Sequence, residues 1–286
     1  MNTVNQTFNW KRFVAALRKE VVENKRTILF STIGIYALLT VIMILGNLIT
    51  ETPGEMDVVM SRRIPHTFVF MVQSFAICIM ASMAFKDLST KSGRTSLFTS
   101  PSSTLEKFLV NVLVYIVGTA VVLIVCAQLS DLTRIAALKL FETANFIVPG
   151  PINFLNSYAL GSSVVNNFSV PGFSDLLSTC VLVSMISSAS MYLLGSVIWP
   201  RLSLLKTYAA AFVIETILCI VVFVVILIVF LSGSIDAFAE WFVEFMKAGH
   251  FFRVMIVFSA IQAILFFGLS WYLFKRKDVV SLKWWK

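Results

Sequence analysis

Residues 207–231 read TYAAAFVIETILCIVVFVVILIVFL, with one acid, Glu215, and no base. As a helix at 1.5 Å per residue this run is roughly 37 Å long, enough to cross a hydrocarbon core of about 30 Å. Five more runs have the same character, at 27–50, 64–85, 108–129, 176–199 and 252–274. With 58% hydrophobic residues, 13% charged residues and a mean hydropathy of +0.88, the chain has too little polar surface for a soluble domain. The expected fold class is an all-α integral membrane protein with six transmembrane helices.

Sidedness follows from the cations. Lys11, Arg12, Arg18, Lys19, Lys25 and Arg26 precede the first span, and Lys86, Lys91, Arg94 and Lys107 lie between the second and third. Arg201 and Lys206 separate the fourth and fifth, and Lys275, Arg276, Lys277, Lys283 and Lys286 follow the sixth. Of the 23 Lys and Arg, only Arg62, Arg63, Arg134, Lys139, Lys247 and Arg253 stand in the alternate loops. The positive-inside rule then puts both termini in the cytoplasm. The formal charge of +8 is a topology signature and calls for no nucleic acid partner. Polar and amphipathic residues precede the first run, which is expected to stay as an anchor and not to be cleaved as a signal peptide. The chain divides into an amphipathic segment 1–26, a six-span domain 27–274 and a basic tail 275–286.

The connections carry more information than the spans. Trp10, Phe13, Val14, Leu17 and Val21 recur at helical spacing, while Lys11, Arg12, Arg18, Lys19 and Lys25 take the other face, with Asn9 placed to cap the start. Such a basic amphipathic helix suits the plane of an anionic cytoplasmic interface, so membrane lipid is an expected partner. Loop 86–107 reads as a short helix stopped at Gly93, a tight turn and a fresh start. Ser100-Pro101 suits a first helical turn, and Ser103 with Glu106 has capping-box spacing. Its plain alternative is a solvated hairpin. On the outer side, loop 130–175 begins with Leu132, Ile135, Ala136, Leu138 and Phe141 at helical spacing and is then broken at Pro149-Gly150-Pro151 and Pro171-Gly172. In 235–245, Ile235, Phe238, Phe242 and Phe245 oppose Asp236, Glu240 and Glu244, the pattern of a short outer amphipathic helix.

Inside the spans, Ser184, Ser187, Ser188, Ser190 and Gly195 mark a face for close helix packing. Glu215 lies about 12 Å into the fifth span, where a carboxylate is costly unless paired or wet. It is either hydrogen bonded to those serines or to a loop cation, or it belongs to a water-filled pathway. Gln73 is a further intramembrane polar group. Cys78, Cys126, Cys180 and Cys219 lie within spans as small hydrophobes, and His66 and His250 are far apart, so no disulfide framework, metal or cofactor is expected. No GxxxxGK[ST], HExxH or GxSxG motif occurs. Catalysis is not expected of this chain, and uphill work would draw on a gradient or on another subunit.

The start Phe8-Asn9-Trp10-Lys11-Arg12-Phe13 and the loop from Lys86-Asp87-Leu88-Ser89-Thr90-Lys91 through Ser100-Pro101-Ser102-Ser103-Thr104-Leu105-Glu106-Lys107-Phe108 resemble the membrane subunits of bacterial type-2 ABC exporters. The resemblance implies that Trp10, Lys11, Arg12, Phe13 and Leu17 form an elbow helix. It makes loop 86–107 the coupling loop, with Asp87, Lys91, Arg94, Ser100, Pro101 and Glu106 as candidates for contact with an ABC ATP-binding subunit. A second permease subunit, as homo- or heterodimer, is implied, in the bacterial cytoplasmic membrane. Spans two and five would line the pathway, making Glu215, Gln73, Ser187 and Ser188 pathway or packing candidates. Loop 130–175 is longer than the family's minimal form. Two other classes remain: a non-transporting immunity or assembly protein, which needs no projecting loop, and a gradient-driven carrier, which would depend on Glu215.

Overall fold

A computed structural model describes residues 8–50, 58–140, 173–231 and 250–277, together with Phe238, Glu240, Glu244 and Phe245. Among the described residues every regular element is helical: α1 (Trp10–Glu23), α2 (Lys25–Thr50), α3 (Val58–Met83), a 3-10 turn (Lys86–Ser89), α4 (Lys91–Thr99), α5 (Thr104–Val112), a π-helical turn (Leu113–Gly118), α6 (Thr119–Leu140), α7 (Phe173–Ile198), α8 (Ser203–Leu231) and α9 (His250–Lys275). Most of outer loop 130–175, most of 235–245 and the tail from 278 lie outside the described residues.

Among the described residues five helices are long and apolar enough to cross a membrane: Lys25–Gly46, Thr104–Ala137, Thr179–Ile198, Ser203–Ile228 and His250–Lys275. Among the described residues α3 carries a shorter apolar stretch, Phe68–Met83. Large hydrophobic side chains such as Phe30, Ile33, Phe75, Val121 and Ile264 point outward. A water-soluble fold would not present such a surface along every long helix, whereas a bilayer solvates it. The chain is a multi-pass membrane protein.

Capping chemistry sets the breaks between helices. Asn9 caps α1 by accepting from the Lys11 N–H at 3.0 Å. Asn24 closes the same helix: its backbone N–H donates to the Glu20 carbonyl at 3.1 Å, and its side-chain amide donates to the Glu20 carboxylate at 2.8 Å. α2 starts on the next residue, so a single asparagine turns the chain from α1 into α2. Ser103 and Glu106 form a full capping box at the start of α5. Beyond α5 the helix widens through the π turn, where the Tyr115 hydroxyl reaches back to Glu20 at 3.3 Å. The helix then continues to Leu140, so the apolar spacing of Leu132, Ile135 and Ala136 extends the helix into the expected outer loop. Near that end Asp131 and Arg134, one turn apart and both buried, pair at 2.6 Å.

Two expectations about loop 86–107 need correction. Gly93 does not stop a helix but sits in the first turn of α4, where its N–H donates to the Thr90 side chain at 3.1 Å. A Cβ there would overlap the Asp87 carbonyl oxygen and lie 2.8 Å from Thr90 Oγ1, so the close approach of the 3-10 turn selects glycine. Pro101 does not enter the first turn of α5 either. Ser100 ends α4 in extended conformation, its hydroxyl donating to the Leu97 carbonyl, and Pro101 belongs to the turn before Ser103.

A buried apolar cluster joins residues 84–88, the start of α5 and the ends of α7 and α9. Phe85, Phe108 and Phe274 meet there with ring centroids 4.9–5.9 Å apart, and Leu88, Leu193 and Val197 complete the cluster. Four separate stretches of chain are locked by one aromatic knot. Farther along, Leu39, Met43, Val69, Cys126 and Ala127 join α2, α3 and α6, and Ala81, Ala189 and Tyr192 join α3 to α7. On α7, Ser187, Ser190 and Ser196 are buried, and the last two donate to carbonyls three residues earlier. This is the small-residue packing face that the sequence marked. α8 differs from its neighbours: it crosses α7 at Gly195 and Thr207, and from Phe212 onward its described residues are exposed.

Candidate functional site

The site is built on a shared carboxylate. Glu106 is the third residue of α5 and is completely buried. Its Oε2 accepts the Ser103 N–H at 2.8 Å, and its Oε1 accepts the Asn9 N–H at 2.7 Å and Arg12 Nη2 at 3.3 Å. One side chain thus caps the start of α5 and also holds the start of α1. The positive N-terminal end of α5 stabilises the charge further. Arg12, from the amphipathic helix, and Glu106, from the loop, were separate candidates in sequence; the fold joins them across 94 residues.

α1 itself presents an anchor. Phe13 is buried against the bundle, while Trp10 stacks on it at 5.6 Å and remains 66% exposed. Lys11 and Arg18 are exposed and Leu17 is half-buried. An exposed tryptophan beside exposed cations is the arrangement that sits at a lipid headgroup boundary.

Below α1 lies the projecting element. No residue of α4 is buried, yet Leu97 and Phe98 pack against the aromatic knot. Lys91, Thr95 and Thr99 face outward, Arg94 is half-buried with Nε on the Thr90 carbonyl at 3.4 Å, and Asp87 and Pro101 are exposed. Further tethers fix the base, none of which the sequence indicated. Lys107 donates to the Phe98 carbonyl at 3.4 Å, Arg201 donates to the Ser89 carbonyl at 3.2 Å, and Lys277 donates to the Val197 carbonyl at the end of α7. Burial, and then the nearby Arg94 charge, pulls the Lys277 ammonium below its usual range. A polar outer face on a rigid apolar base suits a docking contact.

Between α1, α4 and α5 runs a cavity of about 420 Å³, lined by Glu20, Glu23 and Asp87 and by Arg12, Lys19 and Lys107. Burial, and then the Asp87 charge, pushes the Glu20 carboxyl above the usual carboxylate range, against the pull of its Tyr115 hydrogen bond. An acid with a raised folded-state pKa favours folding while protonated, and that contribution is lost as pH rises through the usual range to the raised value. Gln in place of Glu20 keeps an acceptor for Tyr115 and Asn24 without the charge. Glu20→Gln is expected to be at least as stable as the parent at pH 7 and less pH-dependent between pH 4 and pH 7, measured by thermal unfolding in detergent.

The pathway candidates do not all share one site. Gln73 is buried on α3 and donates to the Leu123 carbonyl of α6 at 3.3 Å, a strut between helices. Ser187 is buried in α7, and Ser188 is half-buried with its hydroxyl on the Ser184 carbonyl. Glu215 is exposed on α8, and no hydrogen bond or ion pair reaches it among the described residues, so the expected serine or cation partner is not there. Among those residues no group of three His, Cys, Asp or Glu forms a metal-binding cluster. Comparison of the chain with protein families, with curated proteins and with solved structures finds no match.

Proposed function

We propose that this chain is the membrane subunit of an ATP-driven exporter of the type-2 ABC class, acting in the bacterial cytoplasmic membrane as a dimer with a second permease subunit. A separate cytoplasmic ATP-binding subunit supplies the hydrolysis. The observation that carries this reading is the Glu106 clamp. A membrane protein that only needs anchoring has no use for an interfacial helix bonded to the base of a projecting loop. A machine driven from outside the membrane does, because force on α4 must reach the spans without being lost in a flexible loop. α4 is seated on the same aromatic knot as the turn that follows α3 and as α5, α7 and α9, so a push on it moves the ends of several spans together. The exposed length of α8 is the surface a second subunit would cover.

The test uses two charges of the loop, exposed Asp87 and half-buried Arg94. Asp87→Lys and Arg94→Glu, made together in the chain co-expressed with its ATPase, are expected to cut co-purification of that ATPase by about tenfold or more. Yield and monodispersity of the membrane subunit should not change, because neither side chain is part of the knot. An unchanged amount of bound ATPase would remove the docking role from this loop.

A further inference from the structure

α7 and α8 meet at Gly195 and Thr207 and then part, leaving a cleft of about 640 Å³ between α3, α7 and α8. That is the size of a small-molecule site. Its serines have one chemical sense. Ser74, Ser184 and Ser188 each spend their hydroxyl proton on a carbonyl of their own helix, at 2.9 Å in all three cases. What they turn to the cleft is oxygen lone pairs, which accept and do not donate. Tyr192 and Tyr208 add aromatic rings and hydroxyls that can accept as well as donate, and apolar residues of α3, α7 and α8 supply the remaining wall. Among the described residues no Lys, Arg or His lines it.

Glu215 belongs to the same face. Tyr208, half-buried Ala211 and Glu215 follow one another at helical spacing on α8. Counted from the crossing, Glu215 is roughly 12 Å along α8 and Ser188 roughly 11 Å along α7, so the two stand at one level. Glu215 is also near enough to Tyr192 to interact with it electrostatically. A carboxylate without an ion-pair partner at hydrocarbon depth, beside acceptor oxygens and aromatic faces, is complementary to an ammonium group.

We propose that this cleft binds an amphiphilic organic ammonium ion, its N–H groups on Glu215 and the α7 serines and its apolar body against α3 and α7. As the cargo site of the exporter it rests on that reading, but binding itself needs no ATPase. A chain that binds the ammonium yet pairs with no ATPase would keep this site and lose the transport role.

Cys78 lines the cleft and serves as the reporter. The full chain with Cys126, Cys180 and Cys219 changed to Ser is placed in phosphatidylcholine nanodiscs, and alkylation of Cys78 by N-ethylmaleimide is timed. The probes are dodecylammonium, dodecanol and dodecanoate. Dodecylammonium is expected to protect at a concentration about tenfold or more below the other two. Glu215→Gln should abolish that margin and Ser184→Val should narrow it, with protection by dodecanol unchanged in both as the sign of an intact fold. Equal protection by all three probes would mean a plain acyl-chain groove and overturn the proposal. So would Cys78 crosslinks between two copies that dodecylammonium does not suppress, since a second copy would then fill the cleft.

Discussion

Glu106→Ala is expected to lower the stability of the folded chain by about 2–4 kcal/mol and to free α1 from the bundle. The size follows from how many groups lose their acceptor at once. Ser103 and Asn9 each present a backbone N–H, and Arg12 presents a guanidinium that is only 31% exposed. Glu106→Gln is the sharper test. The carboxylate uses both oxygens, Oε2 for one helix start and Oε1 for the other. An amide has one oxygen, so whichever start it serves, its NH₂ group faces an N–H donor at the second. Gln is therefore expected to cost about 1.5–3 kcal/mol although it is nearly isosteric. Arg12→Ala should cost less, because it leaves both backbone bonds in place. Thermal unfolding in detergent gives the order, and proteolysis in the α1 to α2 bend gives the location. If Gln matched Glu in both, the clamp would hold nothing. In the proposed exporter, Glu106→Gln should also lower ATP-dependent transport more than ATPase binding, since it loosens the lever without touching the outer face of α4.

The parts of this molecule that the sequence disclosed are those governed by local chemistry. Long apolar runs announced the long apolar helices, the Trp10 to Val21 spacing announced α1, and Ser103 with Glu106 announced the capping box. What stayed hidden was set by contacts distant along the chain. Nothing around Glu106 says that its second oxygen serves Asn9, 97 residues earlier. Gly93 reads as a helix stop because glycine often is one, whereas here the Asp87 carbonyl excludes a side chain. Burial on α8 was illegible for a different reason. Residues 212–231 are apolar all round apart from Glu215 and Thr216, so no stripe separates a packed face from a lipid face. The placement of Glu215 away from a hydrogen bond to the α7 serines followed only from the splay of α8.

Gly195→Ala is expected to destabilise the chain by about 1–3 kcal/mol, a large effect for one methyl group. A Cβ at this position would lie on the Thr207 hydroxyl, 2.8 Å from Thr207 Cβ and 2.9 Å from its methyl carbon. Rotating the Thr207 side chain moves the hydroxyl and the methyl but not Cβ, so the helices themselves must separate. This crossing is where α8 meets α7 before the two part, and separation there loosens the one helix that stands clear of the bundle. Relieving the contact from the other side provides the check. Thr207→Ala removes the hydroxyl and methyl and leaves Cβ, so it should rescue Gly195→Ala only in part. Thr207→Gly removes all three atoms and should rescue it further, less about 1 kcal/mol for a glycine inside a helix. A double-mutant cycle on unfolding free energies is expected to give a coupling of about 1–2 kcal/mol between the two positions. Simple additivity would mean that α7 and α8 do not touch at this point. In that case the cleft would lose the wall that sets its width, and the level match between Glu215 and Ser188, which is counted from the crossing, would lose its origin.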